Sequence, residues 1–331
     1  MNFQDLSADF KKLSYRKQQE LISLLSKQVI DSRPILNHKE TPTECPHCGC
    51  KKLYKHGKYI NGGSRFKCRD CNKTFNELTG TSIHNIQKTE EFREFIEQMF
   101  EGNSIRQISK EVGVCMKTVF DWRHKVLSSF SKIFTKKFKG IVETDDVFYR
   151  FNQKGRVNDF KKLPKRTQGV NNKHQVSVMF SLDRYKTVDL KLVSLGKITT
   201  ENLYREMDLS KFGDENIIVS DKSRALVKFF DVLGFDHVTF KSKEKVHPID
   251  RQFHVNNLNN FAGRLKRWIK ENFSSVSTKY LQNYLNYFLM LEILKDDSNM
   301  KDKWWNFMLS DNETFGRNRK SEEEYQEFLS Y

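Results

Sequence analysis

The sequence predicts a multi-domain α+β protein. A helical N-terminus and a small metal-binding domain precede a three-helix segment and an α/β domain with C-terminal helices. Three observations predict this: paired cysteines near the front, helical apolar stripes on either side of position 100, and strand-like apolar runs that begin only after position 140. With 331 residues, the chain is long enough for two or three domains, each with its own core.

The first predicted element is a helical segment at 1–40. Leucines including Leu13, Leu21 and Leu25 recur at helical spacing, and Pro34 and Pro42 mark a break before the cysteines. The first ten residues contain no apolar run of the kind that a secretory signal needs.

A zinc ribbon is predicted at 41–82, where the chain reads Cys45-Pro-His-Cys48 and later Cys68-Arg-Asp-Cys71. Each Cys-x-x-Cys pair turns tightly enough to offer two sulfurs to one ion, so the four thiolates can surround one structural Zn²⁺. The aromatic residues between the pairs are expected on short strands: Tyr54, Tyr59, Phe66 and Phe75. The alternative for six cysteines is three disulfides in a secreted protein. Because no secretory signal is seen, we expect zinc and a reducing interior.

Three helices are predicted within 88–132, with Ser104 as an N-cap, Gly113 in a turn, and Val114 and Val119 in the core. This pattern indicates a helix-turn-helix whose third helix contacts DNA through basic side chains. These are Lys117, Arg123, His124 and Lys125, of which Lys117, Arg123 and Lys125 are the predicted DNA contacts. The alternative is an ordinary three-helix bundle with a basic face.

The charge of the chain predicts a polyanionic partner. Lys and Arg number 58 against 42 Asp and Glu, for a formal net charge of +16, and such an excess favours nucleic acid. The segment 150–173 is especially basic and includes Lys161 and Lys162. It is either a solvated loop or a segment that holds phosphates, and we count both lysines as DNA-contact candidates. No long apolar stretch occurs, so we expect neither a membrane span nor a membrane partner.

Residues 138–298 alternate between strand and helix patterns. Strands are predicted at 141–149, 174–181, 186–193, 216–220 and 238–240, and helices at 200–207, from 221 to 233 and from 254 onward. This order predicts an α/β layer fold of the RNase H kind, followed by a tail at 299–331.

Acidic residues fall at two predicted strand ends. Glu143 and Asp145 share one face of their strand because side chains alternate, and Asp221 ends an apolar strand. Two acids on neighbouring strands can share a divalent metal through their oxygens. Each acid alone is more commonly a turn residue or a helix cap, and Asp221 suits a cap as well.

A third group lies on the helix predicted after His254. Asn259 and Lys266 are two turns apart on one helix face, and the small Ala262 and Gly263 between them predict a shallow groove for a phosphate backbone. An Asn oxygen can ligate a hard cation, and a Lys can hold a phosphate. His247 and His254 are each either a ligand or base, or an ordinary hydrogen-bonding residue.

Together these segments resemble one family, the bacterial insertion-sequence DDE-type transposases with an N-terminal zinc ribbon and an RNase H-like catalytic domain. The similarity is to the Asp-Asp-Asn-Lys subgroup and extends over 40–290. The segments that carry it are the cysteine pairs and 68–81, 118–124, 140–145, 259–266 and 276–285.

The resemblance implies two-metal phosphoryl transfer with Mg²⁺ or Mn²⁺. Asp145, Asp221 and Asn259 would hold the two ions, and Lys266 would position DNA. The sequence departs from the family at Asp146, where Glu is frequent, and at Ala262, where His is frequent.

The resemblance also implies double-stranded DNA partners, namely terminal inverted repeats and target DNA, with Arg264 and Arg267 on the backbone. It implies a homodimer or a larger synaptic complex, associated with the nucleoid in the bacterial cytoplasm. Two other readings stay open: a catalytically silent or domesticated copy that only binds DNA, and a nuclease of the same fold that cleaves without joining.

Overall fold

The structure is a computed structural model in which the chain divides into two compact units, Met1–Thr79 and Gly80–Tyr331. It describes 10, 12–14, 17–18, 21, 41–58, 64–81, 83–84, 86–128, 136–154, 174–241, 247 and 250–295. The predicted N-terminal helix falls almost entirely outside the described residues, and the predicted tail at 299–331 falls entirely outside them.

The first unit contains a three-stranded antiparallel sheet, β1 (Leu53–Lys58), β2 (Ser64–Cys68) and β3 (Thr74–Phe75), in that order. Phe66 and Phe75 stack with ring centroids 6.0 Å apart and are buried beside cysteines. The strand predictions for these two rings are confirmed. Tyr54 lies in β1 but is exposed, and Tyr59 lies outside the described residues.

Three helices open the second unit: α1 (Thr89–Phe100), α2 (Ile105–Val112) and α3 (Met116–Ser128). Ser104 caps α2, since its hydroxyl accepts the Gln107 N–H and the Gln107 side chain accepts the Ser104 N–H. Gly113 ends α2 in the left-handed region with φ 72°. The predicted cap and turn are therefore confirmed, as is the burial of the two core valines.

A mixed five-stranded sheet follows, made of β4 (Ile141–Arg150), β5 (Gln175–Asp183), β6 (Val188–Leu195), β7 (Ile217–Asp221) and β8 (Asp236–Phe240). The spatial order is β6-β5-β4-β7-β8. The central strand β4 pairs antiparallel with β5 and parallel with β7. All five predicted strands are present, with ends displaced by one or two residues.

Helices cover both faces of this sheet because its strands alternate their side chains between two cores. Val142 joins a core with α4 (Thr200–Glu206) and α5 (Arg224–Leu233). Val147 joins the other core, with α6 (Asn256–Phe273) and α7 (Leu281–Leu294). The predicted mixed α/β class is confirmed.

The three N-terminal helices of the second unit pack against α7. The Tyr287 hydroxyl on α7 donates to the Met99 carbonyl at 2.9 Å, and His124 on α3 stacks on Tyr280 just before α7, with centroids 3.7 Å apart. The helices and the sheet thus belong to one compact unit. Among the described helices, none combines the length and apolar character that a bilayer crossing requires.

Candidate active site and metal centre

The four predicted zinc ligands are brought together in the first unit. All four Sγ atoms lie within 4.8 Å of one another, and two of the separations, Cys45 to Cys71 and Cys48 to Cys68, are both 3.6 Å. A tetrahedral zinc with bonds of about 2.3 Å places its sulfurs roughly 3.8 Å apart. The cluster therefore fits a zinc ion without rearrangement.

Local backbone geometry builds this cluster. Gly49 follows the first pair at φ 73° and Asn72 follows the second at φ 57°, so each pair sits in a tight turn. Hydrogen bonds from the Cys71 backbone are the largest cause that lowers the pKa of the Cys68 thiol, to about 6. These backbone hydrogen bonds favour the thiolate of Cys68, the form that binds metal.

The second candidate site lies where β4 and β7 run side by side. Their parallel register pairs Glu143 with Val219, so Asp145 and Asp221 lie two residues further along neighbouring strands, on the same face. Neighbouring strands are about 4.8 Å apart, which brings the two predicted acids next to each other. Asp146 points to the opposite face of β4, as the alternation predicts.

Burial and mutual repulsion shape the ionisation of these acids. Burial, then the charges of Asp221 and Asp146, raise the pKa of Asp145 to about 7. Burial and the charge of Asp221 raise the pKa of Asp146 to about 6. A cation between Asp145 and Asp221 would relieve their mutual repulsion. Among the described residues, only the four cysteines form a group of three or more candidate metal ligands within 4.8 Å of one another. As a set of three, the carboxylate oxygens are spaced more widely than that.

Lys266 supplies positive charge beside Asp145. Its ammonium lies 5.6 Å from the centre of the Tyr149 ring on β4, and its charge acts on the Asp145 carboxylate. Burial lowers the pKa of this lysine. The structure therefore places the two predicted aspartates and the predicted lysine beside the middle of β4, at the level where β7 ends.

Glu143 anchors α6 to β4, a role that the sequence did not suggest. Its side chain is fully buried and accepts the Leu258 N–H and the Asn257 amide N–H, both at 2.9 Å. Arg184, in the β5–β6 turn, donates to it at 2.8 Å. The sequence showed only that Glu143 shares a strand face with Asp145. It could not show this contact, because the partners of Glu143 lie far away along the chain.

His254 belongs to the same network. Its Nδ1 lies 3.5 Å from the Glu143 carboxylate, and its Nε2 lies 3.1 Å from Arg184 Nη1. The ring of His247 accepts the Asp250 N–H at 3.2 Å and so stabilises a turn. Both histidines thus act as hydrogen-bonding residues in this structure.

Asn259 lies exposed on the first turn of α6, directly after the residue that binds Glu143. Lys266 shares its exposed face, as predicted. The predicted groove between them is wrong in one half, because Ala262 turns inward and packs in the core, 6% exposed. Gly263 alone leaves open space there. Asp221 does not occupy the cap position of α5, although it accepts the Ser223 N–H at 3.0 Å.

The predicted DNA contacts separate into exposed and engaged residues. The predicted DNA contact at Arg123 is wrong, because this side chain is 3% exposed and donates to the Asn103 carbonyl at 2.8 Å. Lys125 is also wrong as a free contact, since its ammonium donates to the His84 carbonyl. Arg264 is held in an ion pair with Glu292.

Three predicted contacts stay exposed: Lys117 on α3, and Arg264 and Arg267 on α6. Lys117 pairs with Asp121 at 3.1 Å, a surface pair that costs little to break. Lys161 and Lys162 lie outside the described residues. The basic face of α3 is therefore limited to its N-terminal part, because the following turns pack against the rest of the unit.

Comparison with known proteins adds a family to this geometry. Residues 137–289 match the family described as "ISXO2-like transposase domain". The chain is 26% identical over 254 residues to "Uncharacterized protein in transposable element ISH50" of Halobacterium salinarum, across 74% of this chain and 83% of that protein. It is 34% identical over 76 residues to "Insertion element iso-IS1N protein InsA" of Shigella dysenteriae, across 23% of this chain and 80% of that protein.

Among solved structures, a Mos1 transposase paired-end complex with the left transposon end matches at 12% identity. The match covers 68% of this chain and 79% of that chain, with a TM-score of 0.22. A pre-cleavage Mos1 transpososome matches at 14% identity over 67% and 78% of the two chains, with a TM-score of 0.21.

Proposed function

The chain belongs to the insertion-sequence transposases, and on that premise we propose that it cleaves the ends of an insertion element and joins them to target DNA. The reaction class is metal-dependent phosphoryl transfer on a DNA backbone. The proposed catalytic residues are Asp145, Asp221, Asn259 and Lys266, on an RNase H-like layer whose observed strand order, β6-β5-β4-β7-β8, supports that assignment.

One observation carries the proposal: Asp145 and Asp221 end up as neighbours on the central parallel strand pair, with the pKa of Asp145 raised to about 7. Two half-buried carboxylates that repel each other are unfavourable unless a cation binds between them. Sites of this kind are frequent where function, not stability, is the constraint.

The residues present fit Mg²⁺ or Mn²⁺, since the donors are carboxylate and amide oxygens. Asp145 and Asp221 would hold the ions, and Asn259 would complete the oxygen set from α6. Two such ions activate the attacking oxygen and stabilise the leaving oxygen in reactions of this class. Lys266 holds the scissile strand by its charge, and the Glu143 network keeps the start of α6 against β4.

The remaining parts would bind DNA. The four-cysteine cluster would hold one structural Zn²⁺ and form a zinc ribbon, and the three helices would act as a helix-turn-helix through the exposed end of α3. Lys117, Arg264 and Arg267 are the exposed candidates for backbone contact among the described residues. Pairing two element ends requires a dimer or a larger synaptic assembly, and bacterial nucleoid DNA would be the natural substrate.

Replacing Asp145 by Asn tests the proposal. The full chain is incubated with Mg²⁺ and a labelled duplex that carries the inverted repeats flanking its reading frame, together with a supercoiled target plasmid. We expect the wild type to join labelled ends to the plasmid. Joining by Asp145→Asn should fall by on the order of 10³, while end binding in gel shifts persists.

Asp231→Asn is the matched control, because it removes an exposed carboxylate of α5 and should keep full activity. Joining by Asp145→Asn at the wild-type rate would overturn the assignment of the site. End binding without cleavage by the wild type would favour the alternative function, a catalytically silent DNA-binding copy. The uncharged Asn259 at the third position gives that alternative its support. Cleavage without joined product would identify the nuclease instead.

A further inference from the structure

The second unit contains a cavity of about 850 Å³ between α2, α3 and the segment that links α6 to α7. Its volume lies within the range of about 300–1,000 Å³ that is typical of small-ligand sites. Four of its lining residues are cationic: Arg106, Arg123, Lys154 and Lys279. None of the lining residues is acidic, so the lining carries a net positive charge.

Arg123 contributes the most unfavourable of these charges, because it is buried. It is 3% exposed, and its Nε lacks a hydrogen-bond partner. Its guanidinium donates to the Asn103 carbonyl at 2.8 Å and lies 5.7 Å from the centre of the Phe273 ring. In the described part of the chain no carboxylate forms an ion pair with it. A buried cation with neutral partners costs free energy that an anion in the cavity would offset.

The same cations affect His124, the residue after Arg123. Burial, then the charges of Arg123 and Lys279, lower the pKa of His124 to about 3. The His124 ring is therefore neutral, and it stacks on Tyr280. This ring adds an aromatic surface to the cavity and no further cation.

Aromatic side chains form the rest of the wall. Phe120 and Tyr280 pack edge to face with centroids 5.5 Å apart, and both are partly exposed. Met116, at the start of α3, is 53% exposed and also lines the cavity. Cations beside aromatic rings form the combination that holds a phosphate and stacks a base.

We propose that this cavity binds one unstacked nucleotide of a DNA strand, with its phosphate on the cationic wall and its base against Phe120 and Tyr280. The inference rests on the proposed function for the identity of the strand. Met116 and Lys117 are adjacent at the exposed end of α3, so a strand that contacts this helix passes the mouth of the cavity. A fully paired duplex keeps its bases stacked and cannot fill the aromatic part.

The test uses the full chain and a fluorescent thymidine hexamer in which one base is 5-iodouracil, a photoreactive base that cross-links to aromatic side chains. We expect cross-linked peptides that contain Phe120 or Tyr280. We expect an abasic hexamer with the same phosphates to bind about tenfold more weakly, because base stacking is lost.

The matched variants are Arg106→Ala with Lys154→Ala, and Arg224→Ala with Lys228→Ala. Each pair removes one Arg and one Lys from exposed positions of the same unit, but only the first pair lines the cavity. We expect the first pair to lose the cross-link and the second to keep it.

Cross-links that map elsewhere, equal losses in both double variants, or equal affinity for the abasic hexamer would each overturn this site and leave the proposed function standing. If free thymidine monophosphate competed as strongly as the hexamer, the cavity would bind a small nucleotide ligand and the proposal of a DNA strand would be wrong. Absence of DNA binding by the wild type would overturn the proposed function itself.

Discussion

The four-cysteine cluster and the proposed carboxylate site bring their candidate metal ligands together in opposite ways. The cysteines come from two tight turns in one small unit, and their sulfurs already stand at zinc spacing. The carboxylates come from two parallel strands, and their partners on α6 lie more than a hundred residues from β4.

The difference teaches how much a ligand set depends on packing. Turns fix the cysteine sulfurs locally, so a small sheet suffices to complete the set. The acids instead meet only because β4 pairs with β7, and α6 joins them because Glu143 binds its first turn. The small cysteine unit therefore depends on its metal for stability, whereas the carboxylate site depends on the strand pairing of the whole second unit.

The largest effect is expected from Cys48→Ser. Removing one of four thiolates should abolish tight binding, because structural zinc contributes on the order of 10–16 kcal/mol to such a domain. Metal analysis of the purified chain should fall from about one zinc per chain to well below that value. Limited proteolysis should then cut within 41–79 while the Gly80–Tyr331 unit keeps its cooperative transition.

Cys50→Ser is the control for this prediction, since Cys50 lies beside the cluster but outside the four ligands. It should retain its zinc. Full zinc content in Cys48→Ser would mean that local turns alone do not define the ligand set, and the contrast between the two sites would fail.

A smaller effect is expected from Glu143→Gln, which tests how far the carboxylate site depends on the packing of α6 against β4. The change leaves Arg184 without its buried counter-charge, and we expect the free energy of unfolding to fall by about 2 kcal/mol. The rate of DNA cleavage should fall too, because Asn259 follows the anchored residue on α6. Urea unfolding measures the first quantity.

Glu292→Gln is the matched variant, because it breaks the more exposed pair with Arg264 and should cost less than about 1 kcal/mol. Equal losses in the two variants would show that the Glu143 network is an ordinary surface pair and does not hold the site together.

The smallest effect concerns pH. The pKa of Asp145 is raised from 3.8 to about 7, so between these values the folded state binds a proton that the unfolded state releases. Without Mg²⁺, the melting temperature should therefore decrease as pH rises from 5.5 to 7.5. Asp145→Asn should reduce this decrease, and calorimetry at the two pH values measures it.

Glu143 and Asp146 also have raised pKa values. Both remain in the variant, so the comparison isolates most of the Asp145 contribution. Added Mg²⁺ should stabilise the wild type most at the higher pH, because it binds the ionised carboxylates. Identical pH slopes in wild type and Asp145→Asn would contradict the raised pKa.

Patterns along the chain predicted the elements of the second unit well. The N-cap at Ser104, the turn at Gly113 and all five strands of the sheet depend on local preference and on apolar alternation, which a sequence displays directly. The sequence also predicted that Asp145 and Asp221 lie on neighbouring strands, although Asp145 lies in the middle of β4 and only Asp221 ends its strand.

The errors concern which side chains are free. Arg123 and Lys125 carry the charge expected of a DNA-contacting helix, yet α3 packs these turns inward against the rest of its unit. Ala262 was expected in a surface groove and instead fills the core under α6. Helical periodicity gives the angle between residues, but it does not say how wide the buried face is.

The sequence by itself determined the four-cysteine cluster, the order of helices and strands, and the two strands that carry the aspartates, because all of these depend on neighbours along the chain. Only the tertiary structure decided that Glu143 ties α6 to β4, that Arg123 is buried in a cationic cavity, and which basic residues stay exposed. Those outcomes depend on contacts between distant segments, whose free energies no local pattern contains.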